Sequence, residues 1–360
     1  MAGQFDLGNK HLESAKRVKE FISEIEASIT DERNPKEIIK KYLAKTFGML
    51  PAESDLYDDY LGMTLSIEEL SKQDSLSAYM LVDQLVFRQI LKNYSNLKVE
   101  EVLAQNETVS LLCMESGFSG IDSIQTKAVK TPDGWQVTGT KLISNEQLYS
   151  DKFLIFAKDE ENKLRLFVIP EEDVKVEAME KTLASTKIVF NQINLNLSLE
   201  DKRNVATVND KGEGMLTLAR TLIAAVSIGI AHSSLLKGIE VVKTTKTAKN
   251  ESVSTSQNIQ FTLADMFSEL EAARMLTYYS ADSMDKNSSN IKIASMAKVK
   301  ASEAASNVTM EAMRLLGNVG FIANTEDFAP LLQRSSDCRI KGGTNRIQKA
   351  QIYEYMLAKK

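Results

Sequence analysis

The chain has 360 residues, 43% of them hydrophobic, which is enough to bury a large core and to form two or three subdomains. Its net charge of -5, with Lys and Arg interspersed among acids, gives no general attraction to phosphate backbones or anionic lipid, so nucleic acid is excluded as an expected partner. Cys113 and Cys338 stand far apart with no paired spacing, which argues against a disulfide framework or a thiolate metal cage and fits a reducing cytosol. The segment Met1 to Arg17 lacks the basic-then-apolar order of a secretion signal. The longest apolar run, Leu222 to Ala231, is shorter than the ~20 residues of a membrane span, so a soluble, cytoplasmic chain without a span is expected.

From about Leu12 to Leu103 the apolar residues recur at three-and-four spacing, first in Val18, Phe21, Ile22 and Ile25 and again in Ile38, Ile39, Tyr42 and Leu43. Ser66 followed by Glu69 has the form of a capping box, and Leu76 to Leu91 is apolar enough for a buried helix. After Val109 the pattern changes to short stretches rich in β-branched and aromatic residues: Val109 to Cys113, Trp135 to Ile143, Phe153 to Ala157, Leu164 to Ile169 and Thr186 to Phe190. Asp133-Gly134 signals a hairpin turn. Beyond Gly212-Glu213-Gly214 the helical period returns around Leu216 to Lys243, Ser256 to Asp285, Ile291 to Leu316 and Thr344 to Leu357, with Lys243 to Ser256 as an exposed loop. The expected fold is mainly α with a β insert: an N-terminal helical domain (1–108), a middle antiparallel β domain (109–205) and a C-terminal four-helix bundle (206–360). A doubly wound sheet or a β/α barrel is excluded, because strands and helices do not alternate.

His11 and His232 have no metal-ligand spacing and no nucleophile beside them in sequence, so hydrolase and metal chemistry are not expected and no metal is assigned. No phosphate-cradling glycine loop of the nucleotide-binding kinds is present either. What remains is a series of segments in a fixed order. In the middle region they are Met114-Glu115-Ser116-Gly117-Phe118-Ser119-Gly120-Ile121-Asp122 and Gly139-Thr140-Lys141-Leu142-Ile143-Ser144-Asn145. In the last part they are Gly212-Glu213-Gly214-Met215 with Arg220, then Gln257 with Gln260-Phe261-Thr262-Leu263-Ala264-Asp265-Met266, then Leu316 to Phe321, and finally Gly342-Gly343-Thr344-Asn345-Arg346-Ile347-Gln348.

In this order the segments resemble the acyl-CoA dehydrogenase family over nearly the whole chain. The resemblance implies FAD as cofactor and an acyl thioester, on CoA or an acyl carrier protein, as substrate. It implies that Met114, Ser119, Leu142 and Ser144 meet the flavin and that Lys246, Gln257, Arg314, Gly317, Thr344 and Arg346 meet the rest of FAD, partly from a neighbouring subunit. Arg220 is implied at the substrate. A homodimer or homotetramer follows, or a hetero-oligomer with an active homologue, while the electron acceptor stays open.

The chain also departs from the family. Dehydrogenation needs a base for the α-proton while hydride leaves the β-carbon, and the family's base is a Glu. The two positions at which the family keeps it hold Gly342 and Ala219, so the catalytic residue is unknown and a Glu at either position is expected to raise activity. Glu213 and Asp337 are the nearest acids in sequence. The expected function is an FAD-dependent oxidoreductase on the CH-CH group of an acyl thioester. Two alternatives stand beside it: a catalytically silent partner subunit, and a flavin monooxygenase on the same fold.

Overall fold

The computed structural model describes residues 59–357 apart from 105–106, 118–119, 184–185, 209–211, 247–249, 289, 316 and 318–324, and before them only Lys16, Lys19, Glu20 and Ser23. The apolar residues of the first two expected helices, Val18 to Ile25 and Ile38 to Leu43, lie outside the described residues. The chain forms two compact units. One takes Asp55–Tyr79 and Thr217–Lys360 together with Met1–Ala27; the other takes Met80–Leu216 together with Ser28–Ser54.

The helical unit begins with α1, Tyr60–Gln73, and the first turn of α2, Ser75–Tyr94. Asp59 caps α1 by accepting from the Gly62 amide at 2.9 Å, and Asp285 accepts from the Tyr60 and Leu61 amides at 2.7 and 3.0 Å. These bonds satisfy donors that an α-helix leaves open at its start. Ser66 lies inside α1, so the expected capping box at Ser66 and Glu69 does not form. The break before α2 belongs to Asp74, whose carboxylate accepts from the Leu76 and Ser77 amides.

After the four-residue α3, Val99–Val102, and the sheet come α4, Glu213–Thr244, α5, Gln257–Asp285, α6, Ile291–Leu315, α7, Thr325–Cys338, and α8, Asn345–Leu357. Four of these are the long helices read from the sequence; α7, which carries Pro330, is an addition. By length and composition α4 could cross a membrane, yet most of that stretch is buried within the protein, with Leu222, Ala224, Ala225, Val226, Ile228, Ile230 and Ala231 fully covered. Small polar side chains set its register against its neighbours: Ser71 donates to Val226 O at 2.7 Å, Thr221 meets Ser280 at 2.7 Å and Ser234 meets Thr309 at 2.8 Å.

Beside them a buried charge network joins α1 to α5. Glu68 accepts from Arg274 at 3.0 Å and from the Tyr278 hydroxyl at 2.7 Å, with Lys72 at 3.3 Å. Burial, then the nearby Lys72 and Arg274, push the His232 imidazole down to about 4. His232 is therefore neutral at ordinary pH, and its Nδ1 accepts from Arg274 at 3.1 Å.

The other unit holds an eight-stranded sheet behind the rest of α2. Its strands are β1, Val109–Leu112, β2, Lys127–Thr131, β3, Gly134–Ile143, β4, Lys152–Lys158, β5, Leu164–Pro170, β6, Val176–Leu183, β7, Thr186–Leu199, and β8, Asn204–Val208. They run in the order β6-β7-β3-β2-β4-β5-β8, with β1 on β4. Pairing is antiparallel except for β1 with β4 and β2 with β4. The β2–β3 loop is Pro132-Asp133, with Thr131 paired to Gly134, one residue earlier than the expected Asp133-Gly134. Proline's fixed φ suits that first loop position. Trp135, Val137, Ile143, Phe153, Phe167, Ile169 and Ile193 fill the interior, and Gln84 of α2 closes the Val109 backbone at 3.0 and 2.6 Å.

Gly229 is where α1 and α4 come closest. A Cβ there would lie 2.4 Å from Ser71 Cβ and 2.7 Å from the Glu68 carbonyl. Gly229→Ala must push the two helices apart and disturb the Glu68 network, so it is expected to destabilise the protein by about 2 kcal/mol or more. Urea denaturation of the variant beside the unmodified protein measures this.

Candidate functional site

In the sheet unit, the loop after β1 and the end of β3 are tied together where the Leu142 amide donates to Met114 O at 2.9 Å. Met114, Leu142 and Ser144 are half-buried and gathered at this edge, whereas Ser119 lies outside the described residues. Gly117 and Gly120 follow with φ of 78° and 129°, and a Cβ on either would meet nothing within 4 Å, so the backbone there is open to close approach. Ser144 is engaged by a residue the sequence reading missed: its amide and hydroxyl both donate to Gln147 Oε1, at 3.2 and 3.1 Å. Gln147 Nε2 in turn donates to Leu111 O at 3.1 Å. The Ser144 proton is thus spoken for, while its oxygen can still accept.

Beneath this edge lies a second missed feature, a buried carboxylate and ammonium. Glu115 Oε1 accepts from Lys141 Nζ at 2.6 Å and from the Thr126 hydroxyl at 2.5 Å. Burial opposes the charged carboxylate, but the bonds from Lys141 and Thr126 hold Glu115 below the usual carboxylate range. Burial likewise lowers the Lys141 pKa, against the pull of Glu115.

In the helical unit, the turn between α7 and α8 is built on Gly342 and Gly343, with φ of 67° and 91°. Side chains from three helices collect on its carbonyls. Arg220 Nε of α4 reaches Gly342 O at 3.4 Å, Lys298 Nζ of α6 donates to Gly343 O at 2.8 Å, and Gln348 Nε2 of α8 donates to Gly342 O at 3.1 Å. Lys298 also donates to Asn345 Oδ1 at 2.8 Å, and Arg220 to Ser295 at 2.9 Å. Arg220 and Lys298 are buried, Gly342, Thr344 and Ala219 half-buried. The Thr344 hydroxyl accepts from the Ile347 amide at 3.4 Å, at the head of α8. Close by, Cys338 is fully buried with its sulfur 2.6 Å from the Tyr79 hydroxyl, and Lys341 Nζ stands 4.0 Å above the Tyr79 ring.

Lys246, Gln257, Arg314, Gly317 and Arg346 are exposed, and among the described residues no hydrogen bond joins them to this turn. Arg314 pairs with Glu311 at 2.6 Å. The Glu213 side chain lies outside the description; Asp337 is half-buried in the last turn of α7. Among the described residues no group of three His, Cys, Asp or Glu side chains could hold a metal ion.

The last part of the chain, residues 212–357, matches the family model for the acyl-CoA dehydrogenase C-terminal domain. A similar curated protein is cyclohexane-1-carbonyl-CoA dehydrogenase of Geobacter metallireducens, 27% identical over 310 residues that cover 81% of this chain and 80% of that one. Among solved structures, butyryl-CoA dehydrogenase from Megasphaera elsdenii superposes with a TM-score of 0.82 at 21% identity, covering 98% of this chain and 100% of that one. A glutaryl-CoA dehydrogenase from Mycobacterium smegmatis, in complex with FADH2, gives 0.79 at 19% identity, covering 97% and 95%. Fold and sequence together point to an oxidoreductase of the acyl-CoA dehydrogenase type. Residues 212–357 belong to the acyl-CoA dehydrogenase C-terminal domain family, and the rest of the chain shares the fold of the acyl-CoA dehydrogenases. The open glycines Gly117 and Gly120, beside the tied Met114–Leu142 edge, fit a planar ring laid against backbone.

Burial pushes the Lys298 ammonium down to about 7; Cys338 and Glu303 oppose this, and Arg220 and Arg339 add to it. The unfolded chain holds its proton to about 10.5. Between those values the unfolded state binds more protons, so this group makes stability rise with pH across the window, by up to about 1.4 kcal/mol per unit. Lys298→Met is expected to flatten that rise, as read from urea midpoints at pH 7 and pH 9.

Proposed function

We propose that the protein oxidises the CH-CH group of an acyl thioester, carried on CoA or an acyl carrier protein, with FAD and without the family's glutamate base. When bound, FAD supplies the hydride acceptor. Leu142 and Ser144 hold its reactive edge, with Met114 and Ser119 in the adjoining loop. Thr344 and Arg346 at the head of α8 meet its diphosphate, where a helix start favours an anion. Lys246, Gln257, Arg314 and Gly317 take the adenine half from a second copy, and Arg220 faces the substrate.

The observation that carries this reading is the turn at 342. Arg220 and Gln348 hold it by the Gly342 carbonyl, and its residue has no side chain to take a proton. The same observation favours the second reading, a catalytically silent subunit of a hetero-oligomer. A flavin monooxygenase needs no such base and stays the third. Absorbance of the purified protein separates them first: an oxidised-flavin spectrum supports an enzyme, and a colourless protein found only with a homologue supports the silent subunit. The unpaired thiols of Cys113 and Cys338 favour the cytoplasm, and an acyl thioester places the reaction in lipid or acid metabolism.

The structure revises what a restored base would do. At Gly342 any side chain adopts a φ of 67°, with its Cβ 2.8 Å from Ile223 Cδ1. Gly342→Glu is expected to lose about 1–2 kcal/mol of stability from the left-handed backbone alone. Ala219 stands half-buried on α4 in regular helix, where a Glu enters without backbone strain. Ala219→Glu is therefore expected to give the larger gain in acyl-CoA dehydrogenation, within the ~10²–10⁴ that a positioned base contributes. Steady-state rates with an artificial electron acceptor, beside thermal melts of both variants, test this; strong turnover by the unmodified protein would overturn it.

The same reading includes self-association, for which α5 exposes Phe261 at 60% and Phe267 at 47%, and α8 exposes Tyr353, Met356 and Leu357. Aromatic side chains left on one helix in this way suit a second copy of the chain. Phe261→Asp with Phe267→Asp is expected to lower the sedimenting mass at micromolar concentration while leaving the far-ultraviolet dichroism unchanged.

A further inference from the structure

The Glu115–Lys141 pair has a geometry that stability does not explain. Its side chains are 5% and 0% exposed. Removing two charges from water offsets much of their attraction, and apolar residues of similar size commonly stabilise a core as well or better. What the pair adds is position.

One carboxylate gathers donors from two separate segments. Oε1 takes Lys141 Nζ of β3 at 2.6 Å, the Thr126 hydroxyl at 2.5 Å and the Thr126 amide at 3.1 Å, while Oε2 takes the Gln125 amide at 2.6 Å. Glu115 itself stands in the loop after β1, so three stretches of chain meet at one group. The residues beside the pair in sequence lie at the edge proposed to meet the flavin. Met114, one residue before Glu115, accepts from the amide of Leu142, one residue after Lys141.

Strand alternation transmits this position outward. Lys141 and Ile143 point inward and are fully buried, whereas Thr140, Leu142 and Ser144 are half-buried on the opposite row. Since successive side chains of a strand face opposite ways, fixing Lys141 along its axis fixes where Leu142 and Ser144 emerge. A slip of the loop or strand would carry Met114, the open glycines Gly117 and Gly120, and Ser144 with it.

We propose that Glu115 and Lys141, with Thr126, are positioning residues for the flavin: a buried ion pair that holds Met114, Gly117 and the Leu142–Ser144 edge in register for the ring. The inference rests on the flavoprotein reading, and it concerns residues that touch the ring only through their neighbours. Single removals leave an uncompensated buried charge and are poor tests. The double substitution Glu115→Gln with Lys141→Met keeps volume and removes both charges.

The experiment uses full-length protein stripped of flavin and titrated with FAD, read by quenching of flavin fluorescence and by the position of the bound-flavin absorption bands, beside a thermal melt. The expected result is a double variant that melts within a few degrees of the unmodified protein, binds FAD at least tenfold more weakly and shows bands moved toward those of free flavin. Thr126→Val, which removes one donor and little volume, is expected to weaken binding about threefold with the melt unchanged, and it carries the test if the double variant does not fold. Equal affinity and equal spectra in the unmodified protein and in the folded variants would overturn the proposal alone. An unmodified protein that takes up no FAD would overturn it together with the reading on which it rests.

Discussion

A helix that is apolar around its whole circumference has no face to give to water, and α4 is such a helix: its middle turns carry Leu222, Ile223, Ala224, Ala225, Val226, Ile228, Ile230 and Ala231 in close succession. It must therefore be surrounded, and α1, α5 and α6 meet it on different sides. Burial alone would let those helices slide. The hydroxyl pairs Thr221–Ser280 and Ser234–Thr309 remove that freedom, since each is satisfied in only one register. Gly229 sets how near α1 can come, and the Glu68 network with Arg274 and Tyr278 then forms in the space this leaves. Arg220 is carried by the same helix, so the geometry at the 342 turn inherits its precision from the packing of α4.

The two units anchor their candidate segments by different chemistry. In the bundle, Arg220, Lys298 and Gln348 hold a turn by its carbonyl oxygens. In the sheet, a side-chain carboxylate holds backbone amides and a lysine. The first arrangement grips backbone, so the shape of the turn does not depend on a polar side chain of its own. The second does not separate shape from side chain at all.

Much of the fold could be read from pattern. The period of 3.6 residues marks α4, α5, α6 and α8 to within a few positions, and β-branched runs mark β1, β3, β4 and β5. Other elements were hidden for physical reasons. β6 alternates poorly, with Glu177, Glu180 and Lys181 among its residues, and α7 is short, polar and carries Pro330. Ser66 and Glu69 have the spacing of a cap, but the apolar residues on both sides of them continue the helix. At the site, glycines and Ser144 could be found in local motifs, whereas Gln147 and Lys298 act on groups distant in sequence or through backbone atoms that no motif names. Lys141 left one sign: it falls on the inward row of β3 with Trp135, Val137 and Ile143, where a charge demands a partner.

The left-handed backbone at Gly342 also bears on how this lineage can change. A position held at positive φ between Ile223 and Arg220 filters every replacement through conformational strain before its chemistry is ever tried, so nearly all single-step descendants of that glycine are less fit as folded chains. A side chain that reaches into this turn therefore comes most cheaply from the neighbouring helix, whose backbone is regular, and the glycine is kept for its conformation.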